Sequence, residues 1–133
     1  MVELKRFSPA DDFDGVVAMH YAQKSDYSNK LRLDTLPTIG WVAKENKIPV
    51  AAGFLRRVEG GFGQIDTLVT NPDMPPELRN DSIDMVVRNL ISDAKSLNFK
   101  GIICYSRDSN TLARSKSFGF QLLTQYSVIS LTL

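Results

Sequence analysis

One cysteine and one histidine in 133 residues exclude several kinds of protein at once. With Cys104 alone, no disulfide forms within the chain and no Cys-rich zinc site can be built. With His20 alone, a site of clustered histidines is excluded as well. An excess of either charge is also missing. Sixteen Lys and Arg face fifteen Asp and Glu, for a formal net charge of +1. That balance supplies no field to draw nucleic acid or an anionic membrane as the main partner. No apolar run approaches the roughly 20 residues of a membrane span. Met1-Val2-Glu3-Leu4-Lys5-Arg6 lacks the apolar core of a secretory signal. Repeats, low-complexity tracts and linker-like stretches are absent too, so residues 1–133 read as one domain. What is present is ordinary for a globular chain: 43% hydrophobic and 23% charged residues. The expectation is a cytoplasmic domain, monomeric or weakly homodimeric.

Patterning then divides the chain. Residues 2–7 alternate apolar with charged side chains, as a short strand does. Ser8-Pro9 ends it, and Asp11 or Asp12 is placed to cap a helix. Phe13, Val16, Val17, His20 and Tyr21 recur there at helical spacing. Residues 30–36 hold a second short helix in this reading, ended by Pro37. Residues 39–44, 48–58 and 62–70 are β-rich and are separated by Glu45-Asn46-Lys47 and Gly60-Gly61. The proline-rich stretch 71–76 cannot continue a strand. The clearest helix follows, over 79–97, with Ile83, Val86, Val87, Leu90, Ile91, Ala94 and Leu97 on one stripe. Residues 101–106 fit a strand buried on both faces. Asp108, Ser109 or Asn110 can cap a short helix through Ser117, and Gly119 can end it. Residues 121–133 read as one or two closing strands. The order β-α-(α)-β-β-β-α-β-α-β-β gives an α+β fold: a mixed, mostly antiparallel sheet with helices on both faces.

Three stretches within that order resemble the GNAT superfamily of acetyl-coenzyme A-dependent N-acetyltransferases. The first runs from Trp41-Val42-Ala43-Lys44 through Pro49-Val50-Ala51-Ala52-Gly53-Phe54. The second is Leu68-Val69-Thr70, the proline-rich loop, then Pro76-Glu77-Leu78-Arg79-Asn80-Asp81-Ser82-Ile83-Asp84. The third is Asn110-Thr111-Leu112-Ala113 through Phe118-Gly119-Phe120. The resemblance spans nearly the whole chain and implies acetyl-coenzyme A as cofactor and a small-molecule or protein amine as acceptor.

It also implies roles. In the family, a loop of pattern Gln/Arg-x-x-Gly-x-Gly/Ala opens the long helix, and its backbone N–H groups cradle the pyrophosphate. Aligned here, Arg79, Asn80, Asp81, Ser82, Ile83 and Asp84 occupy that loop, with Ser82 and Asp84 at the two glycine positions. Two anions about 4 Å apart repel by roughly 1–4 kcal/mol at surface-like dielectric constants. Asp84 therefore opposes a phosphate unless it points away. In the alternative, Asp81 and Asp84 cap the helix and complement its dipole. Leu68, Val69 and Thr70 correspond to the strand that meets the pantetheine arm. Asp66 is the candidate base, on a face expected to include Gln64, Leu68 and Thr70; otherwise it is a strand-end carboxylate bonded to a neighbour. The family's tyrosine acid is replaced by Ser115, which leaves Tyr126 or Tyr105 as substitutes. Asn110 stands for the family's asparagine, nine residues before Gly119 and about two nearer to it than in the family, which implies a shortened helix. His20 faces either the core or the acceptor cleft. Cys104 reads as buried ballast rather than a nucleophile. Arg56 and Arg57 alternate faces and read as solvated, or as a contact for an acidic acceptor. Two functions follow from this reading. One is acetyl transfer to a primary amine by direct attack. The other is a GNAT-fold binding or structural protein, of a kind found among phage proteins, that has lost its cofactor.

Overall fold

The computed structural model describes residues 1–23, 31–106, 108–123, 129 and 131. Tight turns between apolar stretches fold residues 39–70 into three consecutive strands of a sheet. The elements are β1 (Val2–Arg6), α1 (Pro9–Ala22), a 3-10 turn (Leu33–Thr35), β2 (Ile39–Glu45), β3 (Ile48–Val58), β4 (Phe62–Thr70), α2 (Pro76–Ser96), β5 (Gly101–Cys104) and α3 (Ser109–Ser117). The sheet order is β1-β2-β3-β4-β5. Only the β4–β5 pair is parallel. Asn46 and Lys47 join β2 to β3 with φ of 49° and 66°. Left-handed conformations at both central residues give the turn that matches the twist of a two-residue hairpin.

The sheet carries a core on each face, because neighbouring residues of a strand point to opposite sides. On one face α2 packs Ile83, Val86, Val87, Leu90 and Ala94 against Ala43, Ala51, Leu55 and Ile65. On the other, Val16 and Met19 of α1 pack against Val42, Ala52, Phe54 and Val69. The expected mixed sheet between helices is what forms. Near its C-terminal end α2 is latched to β1 and β2. Asp93 accepts from Arg6 Nη1 and Nη2 at 2.7 and 2.8 Å and from Trp41 Nε1 at 2.8 Å. The Arg6 guanidinium also lies 4.2 Å from the centre of the Trp41 ring.

Several boundaries differ from the sequence reading. Helix α1 starts at Pro9, and its buried face is Asp12, Val16 and Met19. Phe13, Val17 and His20 are only half-buried, and Tyr21 is exposed. Of the predicted stripe only Val16 is fully buried, and the face is rotated toward Asp12 because a carboxylate anchors it. Asp12, 1% exposed, accepts from Lys44 Nζ at 2.7 Å, Lys5 Nζ at 3.0 Å and the Ser8 amide at 2.7 Å. Burial is the largest single influence and pushes the Asp12 carboxyl up. The bonds from Lys44, Ser8 and Lys5 together outweigh it and hold the group below the ordinary carboxylate value. Residues 33–35 form only a 3-10 turn in place of the helix expected over 30–36. Helix α2 begins at Pro76 rather than Arg79. Strand β5 stops at Cys104 and is half-buried at every residue, against an expectation of a strand to 106 covered on both faces. Gln121, Leu122 and Leu123 are exposed and outside any strand. The rest of the expected closing strands, Tyr126 included, lies outside the described residues apart from 129 and 131, neither of them in a strand.

Candidate functional site

Strand β4 contains one residue too many for its partner. Ala52 pairs with Val69 and Phe54 with Asp66, so two steps along β3 span three along β4. Thr67 absorbs the excess with a φ of 53°. A bulge of this kind reverses the alternation of side chains beyond it. Ile65 therefore faces the α2 core while Val69, four residues on, faces the α1 core. Asp66 and Gln64 share the α1 side with Phe54 and Arg56, as their pairing requires. Leu68 packs against the α2 core, and Thr70 pairs with Ala51, whose side chain belongs to that core. The expected common face for Asp66, Leu68 and Thr70 is thus corrected: the bulge separates them. Gly53 lies between the β3 residues that flank the shift. A Cβ there would come within 2.6 Å of Leu68 Cδ2 and 2.9 Å of Val86 Cγ1. Glycine at 53 lets α2 and the bulged strand sit that close.

The bulge coincides with the end of β5. Phe62–Ile65 pair with Gly101–Cys104, and the pairing goes no further. Residues 66–70 are paired with β3 on one side, and among the described residues no strand joins them on the other. Alternate N–H and C=O groups of that stretch face the open side. An opening at the C-terminal ends of parallel strands is a usual place for a ligand in such sheets. Cys104 ends β5 at this opening. Burial, then the negative charge of Asp66, pushes its thiol up, which keeps it protonated and a poor nucleophile.

Asp66 is firmly engaged. Its Oδ2 accepts from Arg56 Nε at 2.9 Å and lies 2.8 Å from Nη2 in the same ion pair, and its Oδ1 accepts from Thr67 Oγ1 at 2.6 Å. Arg56 Nη2 also donates to the Thr35 carbonyl at 2.9 Å. Arg56 therefore ties the turn at 33–35 to β4, a role that simple strand alternation does not reveal. Arg57 instead lies over the Phe99 ring, 4.9 Å from its centre. The Ser115 hydroxyl donates to the Leu112 carbonyl at 2.7 Å within its own helix. Asn110 is exposed in the first turn of α3, Tyr105 is exposed beyond β5, and His20 meets Tyr21 edge-on.

The residues aligned with the pyrophosphate loop are in a different state. Pro75 caps α2 and Pro76 is its first residue, so neither offers an N–H group. The Arg79 amide already donates to the Pro75 carbonyl at 3.0 Å. From there each backbone N–H is used by the residue four before it. Ser82 and Ile83 sit about two turns inside the helix, 0% and 6% exposed. The Ser82 hydroxyl has no partner among the described residues. Asp84 is bonded to Arg114 Nη1 of α3 at 2.5 Å, and Arg114 Nη2 bonds Asn80 Oδ1 at 2.7 Å. Arg79 is half-buried, and Asn80 and Asp81 are exposed. Residues 79–84 therefore form no open loop. Asp81 and Asp84 do not cap the helix either, since α2 starts before them.

These facts test the fit of acetyl-coenzyme A in two parts. The open edge at 66–70 suits an extended amide-containing arm, which can bond along a strand edge. The diphosphate has no matching cradle at 79–84. The other helix starts carry their own carboxylates. The Ser8 amide at the start of α1 is taken by Asp12. The Thr111 amide and hydroxyl in α3 are taken by Asp108, at 2.9 and 2.7 Å. Those Thr111 bonds hold the Asp108 carboxyl below its ordinary value. Among the described residues no group of His, Cys, Asp or Glu is arranged to hold a metal, and no helix is long and apolar enough to cross a membrane.

No protein-family model matches the chain, and no curated protein sequence matches it. Solved structures do. An aminoglycoside acetyltransferase from an uncultured soil metagenomic sample, in complex with sisomicin, superposes with a TM-score of 0.75 at 12% identity, over 99% of this chain and 96% of that one. Glucosamine-6-phosphate N-acetyltransferase from Arabidopsis thaliana gives 0.72 at 14% identity, over 97% and 98%. A predicted acetyltransferase from Clostridium acetobutylicum, with acetyl-CoA, gives 0.71 at 18% identity, over 98% and 96%. The chain has the fold of the GNAT-type acetyltransferases.

Proposed function

We propose that the chain is an N-acyltransferase that moves an acetyl group from acetyl-coenzyme A to a primary amine by direct attack. One observation carries the reading: past the bulge at Thr67 and the early end of β5, no strand among the described residues covers the edge at 66–70, which suits a pantetheine arm. In the transfer, the amine nitrogen forms a bond to the thioester carbonyl carbon and the carbon–sulfur bond breaks. The electron pair leaves with the sulfur, which takes a proton from water; the proton lost by the nitrogen also goes to water. Asp66 serves this reading as a positioning residue on the acceptor side. With both oxygens engaged by Arg56 and Thr67, it holds Arg56, and through it the turn at 33–35, against β4.

A second reading rests on a different observation. The helical state of 79–84 and the Arg114–Asp84 bond remove the diphosphate cradle, which favours a GNAT-fold protein that acts through a partner surface. Thiol release with acetyl-coenzyme A and a panel of amines (an aminosugar, a polyamine, lysine peptides) decides between them. The enzyme reading expects amine-dependent release of free thiol. Release no faster than the spontaneous rate with every amine, and no binding of acetyl-coenzyme A, would favour the second.

A further inference from the structure

We infer that the donor is recognised by its pantetheine arm alone, so that the substrate class is a pantetheine-type thioester whose nucleotide and diphosphate add little. This rests on the acyltransferase reading above and narrows it.

The inference follows from what each part of the donor would meet. An arm lying against 66–70 bonds to backbone groups, which are present whatever the side chains are. A diphosphate needs unpaired N–H groups or cations. At the start of α2, two prolines remove the first donors and Glu77 adds a negative charge in the same turn. Two turns on, the N–H groups at 82–84 are internal to the helix, and Ser82 and Ile83 face the core. A phosphate could reach them only by unwinding the start of α2 and displacing its packing. Arg114, the cation that α3 brings to this stretch, is committed to Asp84 and Asn80 through three hydrogen bonds. That leaves the half-buried Arg79, its Nε without a partner among the described residues, as the one cation of 79–84 not engaged there. The starts of α1 and α3 are filled by Asp12 and Asp108.

A charge-assisted hydrogen bond to phosphate is ordinarily worth about tenfold or more in affinity. With that set reduced to Arg79 and the Glu77 and Leu78 amides beside the Glu77 carboxylate, acetyl-coenzyme A keeps little advantage over its own truncated arm.

The test titrates the wild-type protein with acetyl-coenzyme A, S-acetyl-pantetheine and adenosine 3′,5′-bisphosphate, following the backbone amides of Leu68, Val69 and Thr70 by NMR. The expected result is that the two thioesters perturb these amides with dissociation constants less than about tenfold apart, while the bisphosphate does not compete. A gap of about tenfold or more in favour of acetyl-coenzyme A, or competition by the bisphosphate, overturns the inference and leaves the acyltransferase reading standing. If neither thioester binds at about 10 mM, a free energy weaker than roughly 3 kcal/mol, both fall together.

Discussion

The two ends of the proposed donor path are made of different material. At the thioester end, the bulged edge of β4 depends on backbone pairing and on one glycine, Gly53, behind it. At the diphosphate end, the site depends on a loop staying unwound, and here the chain has wound it into α2. Backbone edges tolerate sequence change because every residue but proline supplies both an N–H and a C=O. A phosphate cradle does not, since glycine alone lets backbone approach phosphate closely without a Cβ in the way. Once Ser82 and Asp84 stand at those positions, helix becomes the better state, and Arg114 fixes it by pairing with Asp84.

The largest expected effect breaks the scaffold beneath both ends. Leu90 is 0% exposed in the α2 core, and Leu90→Ala should cost about 2–5 kcal/mol in urea unfolding. A cost below about 0.5 kcal/mol would mean that α2 does not anchor the sheet. Next comes the thioester end by itself. Gly53→Val drives atoms into Leu68 and Val86 and should cost about 1–3 kcal/mol. It should also shift the Leu68 and Thr70 amide resonances more than those of β1. The reverse pattern would uncouple Gly53 from the bulge.

The diphosphate end responds in the opposite sense. Changing Ser82→Gly together with Asp84→Gly puts two glycines inside a helix and frees Arg114. The expected cost is about 1–3 kcal/mol of stability, with affinity for acetyl-coenzyme A altered by no more than about threefold, under 1 kcal/mol. Tightening by tenfold or more (about 1.4 kcal/mol) would mean that the cradle lies only two residues away from working order. The smallest effect belongs to Ser82→Ala. Removing a buried hydroxyl without a partner should leave stability unchanged or raise it by up to about 1 kcal/mol, because its desolvation penalty disappears. A loss above about 1 kcal/mol in thermal melts would reveal a bond to that hydroxyl.

Acid tests the opposite face of the sheet. The Asp12 carboxyl titrates below its ordinary value of 3.8 in the folded protein. The folded state therefore binds that proton less readily than the unfolded chain does. The resulting stability is fully present above the ordinary carboxylate value and is lost as pH falls through the lowered one. Asp12→Asn should flatten the acid limb of stability against pH. An unchanged limb would assign acid sensitivity to other carboxylates.

Much of this architecture could be read from residue order. The strands at 39–45, 48–58 and 62–70 follow from β-rich runs set apart by turn residues, and five positions of the predicted α2 stripe are buried. Two features that decide the site were harder to read. Nothing in Gln64-Ile65-Asp66-Thr67-Leu68 marks an extra residue, because the left-handed position is held by threonine rather than glycine. The start of α2 did leave a signal. Proline at the first helical position followed by an acidic residue is a usual helix opening, and Pro76-Glu77 is that pair. The family pattern instead begins three residues further on, at Arg79. Asp12 was hidden for another reason: its partners Lys5 and Lys44 come from two different strands, and only the sheet brings them together.

Hydrogen exchange at Arg79, Ser82, Ile83 and Asp84 in the ligand-free protein tests the central claim most directly, because a wound helix and an open cradle differ there amide by amide. The account predicts protection at all four, comparable to that of neighbouring α2 residues and unchanged by saturating acetyl-coenzyme A. Fast exchange at Ser82–Asp84 in the free protein, slowed when acetyl-coenzyme A is added, would contradict it.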